Sequence, residues 1–176
     1  QFPPRHYLEW TSSKDSLENL NFVKYLDFSE IKPTIFDFEE AKKMLRIEFQ
    51  NAVKSRMMCD REFGCALSGG RDSGMTSAEA SKICKSRGKT LKTYCIGLTP
   101  DSPDCVYAQK AADFIGSDHK TVIIPEEEWL AAIEHIVYVC ETYDITSIRA
   151  STGQYLISKW IAENTDIKAI ILGDGA

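Results

Sequence analysis

No apolar run in the sequence reaches membrane-spanning length and no signal peptide is visible, so neither a membrane-embedded nor a secreted role is expected. There is no C-x-x-C pair. The six cysteines, at 59, 65, 84, 95, 105 and 140, are scattered and sit mainly inside apolar patterns. They read as small core residues in a reducing cytoplasm. Histidine is scarce: the three, at 6, 119 and 135, do not cluster with the cysteines, which argues against a zinc site. Basic residues are not in excess either. A net charge of −5 argues against a nucleic-acid partner. The chain shows no internal repeat and no low-complexity segment. Its 176 residues are one domain's worth of chain, and 43% hydrophobic content is enough to bury a core.

Against these absences one stretch stands out, Phe63-Gly64-Cys65-Ala66-Leu67-Ser68-Gly69-Gly70-Arg71-Asp72-Ser73-Gly74. Residues 63–67 are short and mostly apolar, as a buried strand should be. Gly69 and Gly70 then let the backbone pass close to a ligand with no Cβ in the way. The next helix presents unpaired N–H groups and the positive end of its dipole. Strand, glycine turn and helix N-terminus together make an anion site, most naturally for phosphate. Ser68 and Ser73 add hydroxyls. Asp72 is out of place beside phosphate until a cation is added, and a carboxylate there suits a magnesium ligand facing a nucleotide triphosphate. The stretch is not a Walker loop, since it lacks the Gly-Lys-Ser/Thr of that motif. Arg71 would bury an unpaired charge if it pointed inward, so it is expected to face solvent or bound phosphate.

Around this stretch the pattern alternates. Two prolines make residues 2–10 an extended tail in which His6 is read as half-exposed, and 11–32 read as a polar linker. Asp37 and Glu40 have capping-box spacing, and Phe38, Ala41, Leu45, Phe49 and Ala52 predict one buried helix face. A helix is expected over 73–86, a strand over 90–98, and a helix opened by Ser102-Pro103-Asp104 and closed by Gly116. Its inner face is Ala108, Ala111, Ala112 and Ile115. A third strand is expected over 119–124. The glutamates after Pro125 complement the dipole of a helix whose buried stripe is set at Trp129, Ile133, Ile136 and Cys140. Residues 141–152 read as a polar interlude before a helix with Tyr155, Leu156 and Trp160. Residues 168–172 form a fourth strand that runs into Gly173-Asp174-Gly175.

This alternation predicts an α/β fold: an open, mainly parallel sheet with helices on both faces. Ligands of such sheets sit at the carboxyl ends of the strands, beside a topological switch point. Residues 68–73, Ile96-Gly97 and 173–175 are each expected just past a strand end.

The Ser-Gly-Gly-x-Asp-Ser stretch resembles the pyrophosphate loop of the ATP pyrophosphatases, an adenine-nucleotide α-hydrolase-like fold. Members usually carry an apolar residue where this chain has Arg71, and often a Ser in place of Gly74. With Ile96-Gly97, Ser102-Pro103-Asp104, Glu141-Thr-Tyr-Asp-Ile-Thr-Ser-Ile-Arg-Ala-Ser151 and Gly173-Asp174-Gly175-Ala176, nearly the whole chain resembles the synthetase domain of glutamine-hydrolysing asparagine synthetases. The 141–151 stretch separates that family from GMP and NAD synthetases. The resemblance implies an ATP-dependent ligase that adenylates the side-chain carboxylate of aspartate, releases pyrophosphate, and lets ammonia from glutamine displace AMP. It implies ATP and magnesium as cofactors, small-molecule substrates and a possible homodimer. It further implies that Ser68, Gly69, Gly70, Asp72 and Ser73 hold the β and γ phosphates, with Asp72 on magnesium. Ala66, Leu67, Ile96, Gly97, Leu172 and Gly173 would meet the adenosine. Thr146 and Arg149 would orient substrate and adenylate, and Asp174 would stand near the reacting carboxyl.

On that resemblance, residues 1–32 are the tail and linker from a glutaminase domain, and 33–176 are part of the synthetase domain. A chain lacking the glutaminase domain and the segments past 176 is not expected to make asparagine by itself. Two alternatives stand beside this reading. One is a β-lactam synthetase-like ligase, which activates a carboxylate the same way. The other is a non-catalytic nucleotide-binding module, which Arg71 and Gly74 favour. By residue type alone, Arg149 is also a surface charge or an ion-pair partner of Glu141 or Asp144.

Overall fold

The structure is a computed structural model that describes residues 2–10 and 20–174. The linker expectation for 11–19, and Gly175 and Ala176, lie outside the described residues. The chain falls into two compact units, residues 1–45 and 46–176.

In the first unit, β1 (His6–Tyr7) pairs antiparallel with β2 (Val23–Lys24). The described part of the linker is therefore not featureless. Residues Phe28–Glu30 add a short 3-10 turn, capped by the Asp27 carboxylate, which accepts from the Ser29 N–H at 3.0 Å. The Arg5 guanidinium stacks 3.9 Å above the Phe28 ring. His6 is half-buried, its Nδ1 lying 2.7 Å from the Pro4 carbonyl.

Helix α1 (Phe38–Arg56) starts where its capping signal predicts, the Asp37 carboxylate accepting from the Glu40 N–H at 2.8 Å. Its expected buried face needs correction. Phe38 and Leu45 are exposed, and burial begins at Phe49 and runs through Ala52, Val53 and Met57. Only the C-terminal half of α1 packs against the core, where Val53 and Met57 meet Cys65, Ala80 and Leu91.

The second unit holds β3 (Phe63–Ala66), α2 (Arg71–Ser86), β4 (Lys92–Gly97), α3 (Pro103–Ile115), β5 (Asp118–Ile123), α4 (Glu126–Cys140), α5 (Ile145–Asn164) and β6 (Ala169–Ile171). The four strands form one sheet in the order β5-β4-β3-β6, and every pairing is parallel. Each strand alternates its side chains between two helical layers. Cys65, Cys95 and Ile171 face α1, α2 and α3, while Tyr94, Ile96, Val122 and Ile170 face α4 and α5. The expected α/β architecture with helices on both faces is what the chain adopts. Gly116 ends α3 in the left-handed conformation, φ 63°.

Several boundaries and faces differ from expectation. Helix α2 begins at Arg71, two residues early, because Gly70 already takes the N-cap position. Ile96 and Gly97 are the last two residues of β4 and do not lie past it. Ser102 occupies the N-cap of α3, but its hydroxyl accepts from the Thr99 N–H at 3.2 Å instead of capping the helix. The stripe of α4 runs through Trp129, Ala132 and Ile136, with Ile133 and Cys140 exposed. Small Ala132 lets α4 approach Leu156 of α5 closely. Cys65, Cys84, Cys95 and Cys105 are buried as expected, whereas Cys59 and Cys140 are exposed. Burial pushes the thiols of Cys65 and Cys95 up to about 12, so both stay protonated.

His119 on β5 gives the fold a pH dependence. Its Nδ1 lies 2.9 Å from Thr93 Oγ1 and its Nε2 3.3 Å from Thr121 Oγ1. Burial holds its folded-state affinity for protons below the ordinary value of 6.5, against an opposing pull from Asp113 and Asp118. As pH falls through 6.5 the unfolded chain takes up this proton first, so stability declines until the folded-state value is passed. Urea midpoints measured from pH 7.5 to 5 should fall less steeply for His119→Gln than for the wild type. Identical slopes would show that His119 titrates alike in both states.

Candidate functional site

The site lies where the sheet changes direction. From β3 the chain winds to β4 and β5 on one side, then returns to add β6 on the other. The carboxyl ends of β3 and β6 therefore flank a topological switch point. Leu67 continues the β3 ladder by one bond, its N–H donating to the Tyr94 carbonyl at 2.8 Å. Its side chain is completely buried among Cys95, Cys105 and Ala108, which anchors the start of the Ser68–Ser73 turn.

The turn then closes on itself. Ser68 Oγ and Ser73 Oγ lie 3.0 Å apart, and Ser73 Oγ also accepts from the Ser68 N–H at 3.3 Å. Ser68 Oγ accepts from the Gly70 N–H at 3.4 Å. Gly69 has φ +79°, and a Cβ there would stand 2.5 Å from Tyr107 Cβ and 2.6 Å from the Ala108 nitrogen. Only glycine allows the turn to pass this close to α3. Gly70 caps α2 without a side-chain hydrogen bond, so the first N–H groups of the helix stay open toward an incoming anion.

The exit from β6 meets the same point. A Cβ on Gly173 would lie 2.5 Å from the Ser73 nitrogen and 2.8 Å from the Asp72 carbonyl carbon. The two strand-end loops are thus in backbone contact. Beyond Gly173, the Asp174 carboxylate accepts from Gln154 Nε2 of α5 at 2.8 Å.

Together these parts enclose a cavity of about 630 Å³. It takes in Ala66, Leu67, Ser68, Gly70, Asp72 and Ser73 from the β3 turn, Ile96 from β4, and Leu172, Gly173 and Asp174 from the β6 end. Ten of the fourteen residues expected at the site therefore line one space. Gly69 and Gly97 do not line it. They shape it from behind, Gly97 by making room for Cys105 of α3. Arg71 is exposed and lines the cavity, so it points out as expected.

Thr146 and Arg149 do not line the cavity, and the segment that carries them is not a polar interlude. It is the start of α5, capped by Asp144, whose carboxylate accepts from Ser147 N–H and Oγ, each at 2.8 Å. Those bonds hold the Asp144 carboxyl below the usual carboxylate range, the backbone bond first. Both residues are exposed, and no carboxylate among the described residues is within ion-pair distance of Arg149. Arg149 stands one helical turn before Gly153, and Gly153, Ile157 and Ile161 line the cavity at four-residue spacing. The helix carries Arg149 on the cavity's own stripe, one turn outside it.

Sequence reasoning missed Gln154, Tyr94, Asp104 and Ser158, which also line the space. Reading 145–161 as one helix would have put Gln154 and Ser158 beside the Arg149 stripe. Among the described residues no group of three or more His, Cys, Asp or Glu side chains is placed to hold a metal ion by itself. Nor, among them, is any helix long and apolar enough to cross a membrane.

The chain is similar to known proteins. A family model described as asparagine synthase matches residues 44–176. The asparagine synthetase [glutamine-hydrolyzing] of Homo sapiens is 48% identical over 143 residues, covering 80% of this chain and 25% of that protein. The Gallus gallus protein of the same name is 44% identical over 146 residues, covering 82% and 26%. The chain thus spans about a quarter of the length of these curated relatives. Among solved structures, a glutamine-dependent NAD+ synthetase from Acinetobacter baumannii in complex with ADP aligns with a TM-score of 0.44 at 19% identity, covering 81% of this chain and 26% of that one.

Proposed function

Because the chain belongs to the asparagine synthase family, we propose that its cavity is the ATP site of an ATP-dependent amide-forming ligase whose acceptor is the side-chain carboxylate of aspartate. The observation that carries this reading is the meeting of the Ser68–Ser73 turn, the open N-terminus of α2 and the Asp174 carboxylate around one cavity. Within it, residues 33–176 are part of the synthetase domain and 1–32 lead into it from a glutaminase domain.

The roles are those the family resemblance implies, and the residue chemistry fits them. Gly70 and the open N–H groups at the start of α2, with the hydroxyls of Ser68 and Ser73, hold the β and γ phosphates, while Gly69 lets the turn take the shape that presents them. The adenosine lies over Ala66, Leu67, Ile96, Leu172 and Gly173, with Gly97 shaping the space from behind by making room for Cys105. Asp72 suits magnesium, being an exposed hard-oxygen donor in the cavity wall. A single carboxylate is enough for an ion that arrives with the nucleotide and keeps phosphate and water ligands. When bound, magnesium relieves the charge repulsion between a carboxylate and the phosphates.

Arg149 and Thr146 orient the substrate carboxylate and the forming adenylate, and Asp174 stands near the reacting carboxyl. The carboxylate oxygen bonds to the α phosphorus as the α–β phosphate bridge breaks and pyrophosphate leaves. Ammonia then attacks the acyl carbon, loses a proton and displaces AMP to give asparagine.

Exchange of labelled pyrophosphate into ATP tests this reading on the full-length protein. Label should enter ATP only when aspartate is present. Exchange that ignores aspartate, or no exchange with it, would overturn the proposal.

A further inference from the structure

The charges around the cavity are unbalanced. Asp72, Asp104 and Asp174 line it, and Arg71 is the one cationic side chain, among the described residues, that does so. A nucleotide triphosphate entering this space meets carboxylates on several sides. Arg71 is also oddly placed for the fold alone. It is the first residue of α2, where a cation opposes the positive end of the helix dipole. No carboxylate among the described residues lies within ion-pair distance of it. It is exposed, so no packing requires it. A charge that works against its own helix, lacks an acidic partner among the described residues and lines the cavity faced by the open N-terminus of α2 is a local conflict of the kind that marks function.

We propose that Arg71 is a phosphate-binding side chain that grips the terminal diphosphate of the nucleotide and, after reaction, the released pyrophosphate; this rests on the nucleotide reading of the cavity. A guanidinium suits the task because its planar fork donates to two phosphate oxygens at once. The open N–H groups of α2 and the serine hydroxyls bind the same anion from the loop side. Arg71 adds the charge they lack.

Isothermal titration of the 176-residue chain with magnesium–ATP, magnesium pyrophosphate and AMP tests this, comparing wild type with Arg71→Leu and Arg71→Lys. Arg71→Leu should weaken ATP and pyrophosphate binding by about tenfold or more. AMP, which lacks the β and γ phosphates, should change by less than about twofold. Arg71→Lys should lose less than Arg71→Leu, and the salt dependence of pyrophosphate binding should flatten when the charge is removed. Without ligand, Arg71→Leu should melt at or above the wild-type temperature, since the opposed charge is gone. Equal affinity of wild type and Arg71→Leu for ATP and pyrophosphate would overturn the inference. Arg71-dependent binding of pyrophosphate without binding of ATP would instead sustain it and overturn the nucleotide reading.

Discussion

Gly69→Ala should lower the stability of the second unit by about 2–5 kcal/mol and abolish nucleotide binding. Two costs act together at this position. Holding alanine in the left-handed conformation that Gly69 adopts, φ +79°, costs roughly 1–2 kcal/mol. The new methyl would also lie 2.5 Å from Tyr107 Cβ and 2.6 Å from the Ala108 nitrogen, and neither atom is the free end of a flexible side chain. Helix α3 or the turn must move, and overpacking of this kind costs about 1–3 kcal/mol. Either movement opens the ring made by Ser68 and Ser73. Gly74→Ala is the matched control: its Cβ would meet nothing within 4 Å. As glycine in a helix interior it should gain up to about 1 kcal/mol when replaced by alanine. Urea unfolding of the two variants beside wild type decides the matter. Equal destabilisation by both would mean that close approach at Gly69 is not what shapes the turn.

Arg149→Ala should behave in the opposite way, with a small effect on folding and a large one on chemistry. Arg149 is exposed on α5 and has no acidic partner among the described residues, so its loss should change stability by no more than about 0.5 kcal/mol. A cation that meets the charge developing during adenylate formation is worth about 10²–10³ in rate. Aspartate-dependent pyrophosphate exchange in the full-length protein should fall by that factor, while the binding of ATP alone changes little. Thr146→Ala should fall by less, since it removes one neutral hydroxyl. Marked unfolding of Arg149→Ala with normal turnover per folded molecule would place the residue in the scaffold and not at the substrate.

The parts of this site that were legible in the sequence share a physical property: each is encoded locally. Phe63 to Ser73 combines an apolar strand, glycines that relieve backbone strain and a helix start, and neighbouring residues specify all three. The parallel sheet was legible from the alternation of periods alone. The start of α5 was lost because Thr-Ser-Ile-Arg-Ala-Ser-Thr is rich in residues that favour caps and turns. The Asp144 cap and the burial of Thr152 and Leu156 overrode that preference. Gln154 was missed for a different, non-local reason: its bond to Asp174 spans 20 residues and depends on β6 lying beside β3. The exposed half of α1 shows the limit of periodicity. An apolar stripe gives a face, but it does not say along how much of its length that face is covered.

The central proposal is that the nucleotide binds between the carboxyl ends of β3 and β6. Backbone amide shifts of the isotope-labelled chain, followed by NMR during titration with magnesium–ATP, test this most directly. The expected result is saturable shifts concentrated at Ser68, Gly70, Ser73, Ile96 and Gly173, weaker ones at Gln154, and none at Cys59, Glu62 or Lys89, which line a separate pocket. Saturable shifts centred on that separate pocket, with the Ser68–Ser73 turn unmoved, would contradict it.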